Sequence, residues 1–514
     1  MLTKRITFWF FALLACIFFL QGYLGGSSKS LTWDEPVFIA SGYSYLTRND
    51  FRLNPEAPPL MQQLEALPLL GMGLRQPGPD HPAWTQGNHF WFARQFLTEN
   101  VDLIQDIAHR ARLPVLLIGA LLILSIGSWG NRLYGHVPAL VGVWIAAFSP
   151  NLIAHSKLAT TDLGCTAFVF FAVYALWRAF RAEGWLDWII CGAVTALALL
   201  TKFTALLLGP IYLGIFAVRL VTHPAQRVRS IKGLLITGGV ALLGVSAGYN
   251  LSFDPAYYVE GIRQLYASAT PGYKFYLFGQ VSEDPWWYYH IAAFLVKVPL
   301  PIILLLGLST VLVFRDPDHR EAALYLLFPA FIIIGASFFD EANIGLRRIL
   351  PAFPFLFLFC SLTLAGVRHR LMTGFICVML AWTSIAALGI YPHHLAYFNL
   401  AAGGPEHGPQ LLEDSNIDWG QDLPALAEWQ MAHPEASPLK LLYFGNVPPE
   451  AFPAYGVRSI PISRADTRQP SNGYYAVSVH HLIGFRKAPE LADWLSKYHP
   501  ISRAGYSIYI YRFK

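Results

Sequence analysis

The sequence predicts a polytopic α-helical membrane protein of about eleven transmembrane helices, followed by a small α/β domain. Three observations predict it. Of 514 residues, 54% are hydrophobic and only 13% charged, about half the usual charged share. The apolar excess falls in blocks of bilayer length. Basic residues gather in alternate connections between those blocks, the positive-inside distribution.

The spans are expected at about 6–23, 113–129, 137–152, 163–177, 188–200, 203–218, 234–249, 289–314, 322–338, 349–367 and 372–390. Lys4-Arg5 precede the first, and no small-x-small cleavage site follows it, so it reads as a retained helix. Around Lys202 the pattern fits either two short helices with a turn or one long broken helix. With the N-terminus cytoplasmic, the inner loops carry Arg132; Arg178 and Arg181; Arg219, Arg227, Arg229 and Lys232; Arg315 and Arg320; and Arg368 and Arg370. The loop at about 25–112, the connection after the seventh span, the 340–348 loop and the C-terminal region then face outward. Residues 1–398 form the expected membrane domain, and 399–514 the extracytoplasmic one. In the latter, 424–431 and 489–498 read as helices, and 439–444, 474–479 and 506–511 as strands rich in aromatic and β-branched residues.

Several function classes are excluded. A net charge of +5, spread over short loops, is no nucleic-acid footprint. All five cysteines lie in expected spans, so the exposed regions carry no disulfides, and CxxC is absent. HExxH, G-x-S-x-G, Walker and dinucleotide GxGxxG motifs are absent too. Neither ATP nor NAD drives the expected chemistry; the energy arrives with the substrate.

The suspicious polar groups all fall on the expected outer face, whereas a transporter would place them near mid-membrane. Asp34-Glu35 follows the first span, where a carboxylate can stay ionised and accept a proton from an attacking hydroxyl, or simply mark a helix end. Asp162 closes Ala159-Thr160-Thr161-Asp162 and suits a helix N-terminus as well as a reacting centre. Lys202 either snorkels to the interface or meets a lipid phosphate. Arg347 and Arg348 run against the inward bias of basic residues, and guanidinium suits phosphate oxygens. Lys297 and the preceding Trp286-Trp287-Tyr288-Tyr289 are less specific, since such aromatics are ordinary interfacial anchors. For the run Asp414–Asp422, a cap-and-turn junction is favoured over an acceptor contact.

In this order and on one face, these motifs resemble the GT-C membrane glycosyltransferases, in particular the bacterial branch of the protein O-mannosyltransferase-like family, to which the lipid A aminoarabinose transferase is related. The resemblance runs through Asp34-Glu35, the Pro-rich 54–60 stretch, Arg110 and Arg112, Ser149 to Asp162, Lys202, 286–301, 345–354 and 414–422. It implies a GT-C fold in a bacterial inner membrane, with the active site on the periplasmic side. The implied reaction is inverting transfer of a sugar from a polyprenyl-phosphate-linked donor to a hydroxyl of a protein, lipid or glycan. By resemblance Asp34 is the base, Glu35 its support and Asp162 the second acid; Lys202 with Arg347 or Arg348 holds the donor phosphate. Glu56, Arg112 and Lys297 are candidate substrate contacts. The pattern departs at Ala57, where many relatives carry His or Lys before Pro-Pro-Leu; Glu56 is the neighbouring substitute. No cofactor is required; a divalent metal, if bound, would sit among Asp34, Glu35 and Asp162. A lipid-linked saccharide flippase and a non-catalytic lipid-binding relative are the alternatives, and the nearly charge-free span interiors weigh against the flippase.

Overall fold

The computed structural model describes residues 4–249, 256–267, 273–315, 319–365, 369–463, 465–483, 494–495 and 497–514. Eight helices among them are long and apolar enough to cross a membrane: Arg5–Ser27, Val101–Tyr134, Thr161–Arg181, Phe203–Thr222, Pro224–Gly248, Arg320–Phe339, Leu346–Ala365 and Arg370–Gly389. Two further apolar stretches are bent pairs, each a broken span or a re-entrant loop: His136–Ala147 with Pro150–Ser156 (60°) and Tyr289–Lys297 with Leu300–Arg315 (111°). Both bends have local causes. Ser149 caps the second half of the first pair, its hydroxyl accepting from Leu152 N, with Pro150 at the first position. In the second pair Val298 is extended, as a residue before proline must be, and Pro299 follows it.

Against about eleven expected spans, the described residues hold eight such helices, or ten if each bent pair is one span. The eleventh block is Leu186–Leu199, whose 14 residues reach only about 21 Å against a bilayer core of about 30 Å. Lys202 sits after it in extended conformation, so of the two arrangements around Lys202 the chain adopts a short helix, a break and a second helix. Apolar residues such as Trp9, Leu121, Leu235 and Phe331 are exposed on the bundle surface, as lipid-facing side chains are.

Among the described tail residues a five-stranded sheet forms in the order β4-β3-β5-β7-β6, with β3 Leu439–Leu442, β4 Ser459–Pro461, β5 Gly473–Ser478, β6 Ser502–Ala504 and β7 Ile508–Phe513. β3 pairs parallel with β4 and β5; β7 pairs antiparallel with β5 and β6. A separate hairpin joins β1 Phe275–Leu277 to β2 Gln280–Ser282. Leu423–Ala432 is the helix expected at 424–431. The helix expected at 489–498 lies largely outside the described residues.

The loop after the first span carries the helices Glu35–Arg48, Pro59–Ala66 and His89–Glu99. The first two pack so closely at Gly42 that a Cβ there would lie 1.8 Å from the Gln62 carbonyl oxygen, so only glycine fits. The tail lies against the start of this loop: Ser30 N donates to Gln421 O (3.1 Å) and Trp33 N to Trp419 O (2.9 Å). Lys29 pairs with buried Asp422 at 2.6 Å, and Trp33 stacks on Phe444 at 4.9 Å. The 414–422 run is therefore a buried junction, and it fixes Trp33-Asp34.

Candidate active site

Three segments meet at the junction. Asp34 precedes the Glu35–Arg48 helix, which starts at Glu35-Pro36 because proline suits a first turn; its carboxylate does not cap that helix. Asp162 sits in the first turn of Thr161–Arg181, where the helix dipole favours an anion, and accepts a weaker bond from the Thr160 hydroxyl at 3.3 Å. Arg347 rises from the 3-10 turn Leu346–Ala352.

Arg347 joins the two acids. Its Nη1 lies 2.9 Å from Asp34 Oδ2 and 3.5 Å from Asp162 Oδ2. Lys202 Nζ holds the other oxygen of Asp162 at 2.7 Å. The result is a row of alternating charge, Asp34–Arg347–Asp162–Lys202, in which Asp162 is 1% exposed and Asp34 and Lys202 keep 25% and 21% of their side chains open. The Trp419 ring packs under the guanidinium, its centroid 4.3 Å away. Two polar atoms here have no hydrogen-bond partner among the described residues, the Oδ1 of Asp34 and the buried Nε of Arg347. An open carboxylate oxygen beside an unused guanidinium N–H can accept a proton and hold an anion at adjacent points.

The structure gives other sequence candidates different work. Glu35 is fully buried and accepts from Arg112 Nε (2.7 Å) and Nη2 (2.8 Å), Thr32 N (2.7 Å), Thr32 Oγ1 (3.0 Å) and Ala159 N (2.8 Å). Burial pushes its carboxyl up, but the Arg112 charge and these donors outweigh that and hold it below the usual range. Its expected place beside Asp34 in the chemistry, or among metal ligands, is corrected: its oxygens are saturated by a buried clamp. Arg112 is the other half of that clamp, with its remaining N–H groups on the carbonyls of Gly26, Lys29 and Ser30. Lys297 is likewise buried, donating to the carbonyls of Leu395 (2.8 Å) and Asn416. Arg348 turns away to Asp340 at 3.6 Å, so Arg347 is the arginine of the pair that reaches the acids. Glu56 is half-buried in the turn before Pro59–Ala66. Next to it, Ala57 lines a cavity of about 150 Å³ with Tyr45, Phe51, Arg52, Tyr249 and Glu260.

The 414–422 run stands out in the sequence, but the part it and three other features play at the site does not. Trp419, from that run, lies beneath Arg347, and His89 lies near Asp34; burial lowers the His89 pKa and the Asp34 charge partly offsets this. Glu65 is buried with neither carboxylate oxygen hydrogen-bonded, and burial, with the charges of Glu35 and Asp162, raises its pKa well above normal. Glu413, Asp414 and His480 form a buried group, in which burial pushes Glu413 up to about 8 and Asp414 up to about 7. A divalent metal among Asp34, Glu35 and Asp162 would have to share that space with Arg347, which bridges Asp34 and Asp162. Among the described residues the group close enough to share an ion is Glu413, Asp414 and His480.

Fold and site together define an integral membrane protein with a charged centre where helix ends, the first loop and the C-terminal sheet converge. Residues 89–249 match the model of the dolichyl-phosphate-mannose-protein mannosyltransferase family. That match supports the GT-C glycosyltransferase class that the motifs resemble, and its segment contains Arg112, Asp162 and Lys202. Comparison with curated proteins finds no significant match. Among solved structures, the chain is similar to ArnT from Cupriavidus metallidurans in the apo state (12% identity, TM-score 0.49, covering 97% of this chain and 96% of that one). It is similar to the same protein bound to undecaprenyl phosphate (14%, 0.49, 97% and 97%). A third likeness is to the Archaeoglobus fulgidus oligosaccharyltransferase AglB in complex with an inhibitory peptide and a dolichol-phosphate (11%, 0.46, 98% and 74%).

Proposed function

We propose that this chain is an inverting glycosyltransferase that moves a sugar from a polyprenyl-phosphate carrier to a hydroxyl acceptor at the periplasmic surface of a bacterial inner membrane. The observation that carries it is the row Asp34–Arg347–Asp162–Lys202, with an open carboxylate oxygen at one end and an unused guanidinium N–H beside it. The matched family model supports a polyprenyl-phosphate donor.

In the proposed step Asp34 accepts the acceptor's hydroxyl proton as that oxygen attacks the anomeric carbon. The bond from that carbon to the phosphate oxygen breaks, and the phosphate leaves with the electron pair. Arg347 and Lys202 meet the charge that gathers on it, which is where fixed cations accelerate a reaction. Attack opposite the leaving group inverts the anomeric centre without a covalent intermediate. Asp162 holds both cations at their posts, and Trp419 keeps the guanidinium plane fixed. Asp34 then loses its proton to water, leaving glycosylated acceptor and carrier phosphate.

The test is reconstitution with labelled polyprenyl-phosphate sugar, guided by lipid and sugar mass spectrometry of a knockout's envelope. Accumulated donor and a missing sugar on one envelope component are expected. Labelled carrier moving between leaflets without transfer would replace this reading by transport.

A further inference from the structure

Glu413, Asp414 and His480 are assigned no part in the proposed transfer, although the charges of Asp414 and Arg347 lie within reach of each other. All three are buried, and one ligand-type atom from each lies within 4.8 Å of the others. We infer that they bind a divalent transition-metal ion of the zinc class, which ties the 413–416 segment to the C-terminal sheet.

The donor set is one imidazole nitrogen and two carboxylates, a combination that suits zinc and leaves a fourth position for water. Glu413 supplies the independent observation. It is 2% exposed, and neither carboxylate oxygen accepts a hydrogen bond of ordinary geometry among the described residues. Its Oε2 lies 2.5 Å from His480 Nδ1, while Oε1 has no hydrogen-bond partner among the described residues. A buried carboxylate with so few donors is costly to ionise, and a cation offsets that cost. At zinc bond lengths, neighbouring ligand atoms stand about 3.3 Å apart, so the Glu413–His480 contact must open by about 0.8 Å, a shift within side-chain rotation. Asp418 is outside the group whose ligand atoms lie within 4.8 Å of one another; its oxygens accept from His480 N (3.1 Å) and Gly420 N (3.3 Å).

The surroundings orient the ligands. His480 follows β5, and the Phe444 ring stacks on it at 3.7 Å, fixing the imidazole plane. Asp414 Oδ2 accepts from the Tyr273 hydroxyl at 3.2 Å. On the membrane side, Ser415 Oγ donates to Ile344 O (2.6 Å) and Asn416 Oδ1 accepts from Leu346 N (3.1 Å). A Cβ at Gly345 would lie 2.1 Å from Ser415 Oγ, so the two segments are in tight contact. The ion would therefore hold the support of the turn that presents Arg347.

Full-length protein in detergent, stripped with chelator and dialysed against zinc, tests this by elemental analysis, with cobalt as a spectroscopic substitute. One zinc per chain, a raised unfolding temperature and visible cobalt absorption of a low-coordinate site are expected. Glu413→Gln and His480→Gln should each bind at least tenfold more weakly, and the exposed control Glu406→Gln as wild type. Wild-type protein with no retained zinc, no thermal shift and no cobalt band overturns the inference, whatever the variants' folding. So does zinc whose stoichiometry both variants leave unchanged, which would mark an adventitious surface ion.

Discussion

Replacing Glu35 by Gln is expected to destabilise the chain by about 3–5 kcal/mol, the usual cost of breaking a buried ion pair from one side. The structure permits a second route to that figure. Glu35 Oε1 accepts from Arg112 Nε and Ala159 N, and Oε2 from Arg112 Nη2, Thr32 N and Thr32 Oγ1. A glutamine keeps one acceptor oxygen and turns an N–H₂ group toward the donors of the other, so at least two buried donors lose their partner. At about 1–3 kcal/mol for each orphaned group, the loss is about 2–6 kcal/mol, and Arg112 retains three carbonyl acceptors that hold it inside that range. Asp34→Asn is the paired control: Asp34 is a quarter exposed and loses one contact to Arg347, so its stability should change little. Thermal or denaturant unfolding in detergent compares the two, with transfer measured per folded molecule. Unfolding of Glu35→Gln at the wild-type midpoint, together with lost transfer, would refute the clamp and return Glu35 to the chemistry.

Glu65→Gln should stabilise the chain at alkaline pH. The folded carboxyl is held neutral, whereas the unfolded one ionises above about 4.3, so wild-type stability falls by up to about 1.4 kcal/mol per pH unit until the folded pKa is reached. The glutamine variant lacks that slope, and a constant gap in unfolding temperature between pH 5 and 9 would contradict the assignment. At Asp422, burial raises the carboxyl pKa, but Lys29 and His393 outweigh it and hold it below the usual value. The stability from this pair is present above the unfolded pKa of about 3.9 and is lost as pH falls through the folded one. Lys29→Met should remove that contribution at pH 7 and flatten the acid limb of the unfolding profile; an unaltered profile argues against it. Arg347→Lys is expected to slow transfer by about 10²–10³-fold, since a single ammonium lacks the planar fork that sets Nη1 on the two carboxylates and Nε beside them, while Arg348→Lys changes it little. Equal losses in the two variants would dismiss the distinction.

Much of the site was legible because polar groups in an apolar chain stand out. Asp34, Asp162, Lys202 and an arginine of the 347–348 pair each break a hydrophobic run or sit at a helix end, and the structure brings the four together. Their partners were not legible, because pairing across 77 residues decides whether a carboxylate reacts or clamps, as between Glu35 and Arg112. Arg347 and Arg348 are indistinguishable in sequence, and only the 3-10 turn at Leu346–Ala352 sends them in different directions. Leu186–Leu199 reads as a span in hydropathy, yet it forms a helix of only 14 residues, shorter than the eight long ones among the described residues. Three-residue strands β4 and β6 carry too little alternation to announce themselves, while β3, β5 and β7 lie near their expected places. Glu413 and His480 come from distant segments without motif spacing, so nothing in the chain linked them.

The most direct measurement is turnover of labelled polyprenyl-phosphate sugar by Asp34→Asn in liposomes, with carrier binding followed in the same preparation. Transfer should fall by about 10²–10⁴-fold, the usual contribution of a positioned base, while carrier binding survives. Transfer at the wild-type rate would show that the carboxylate beside Arg347 is not the base and would contradict the proposed chemistry.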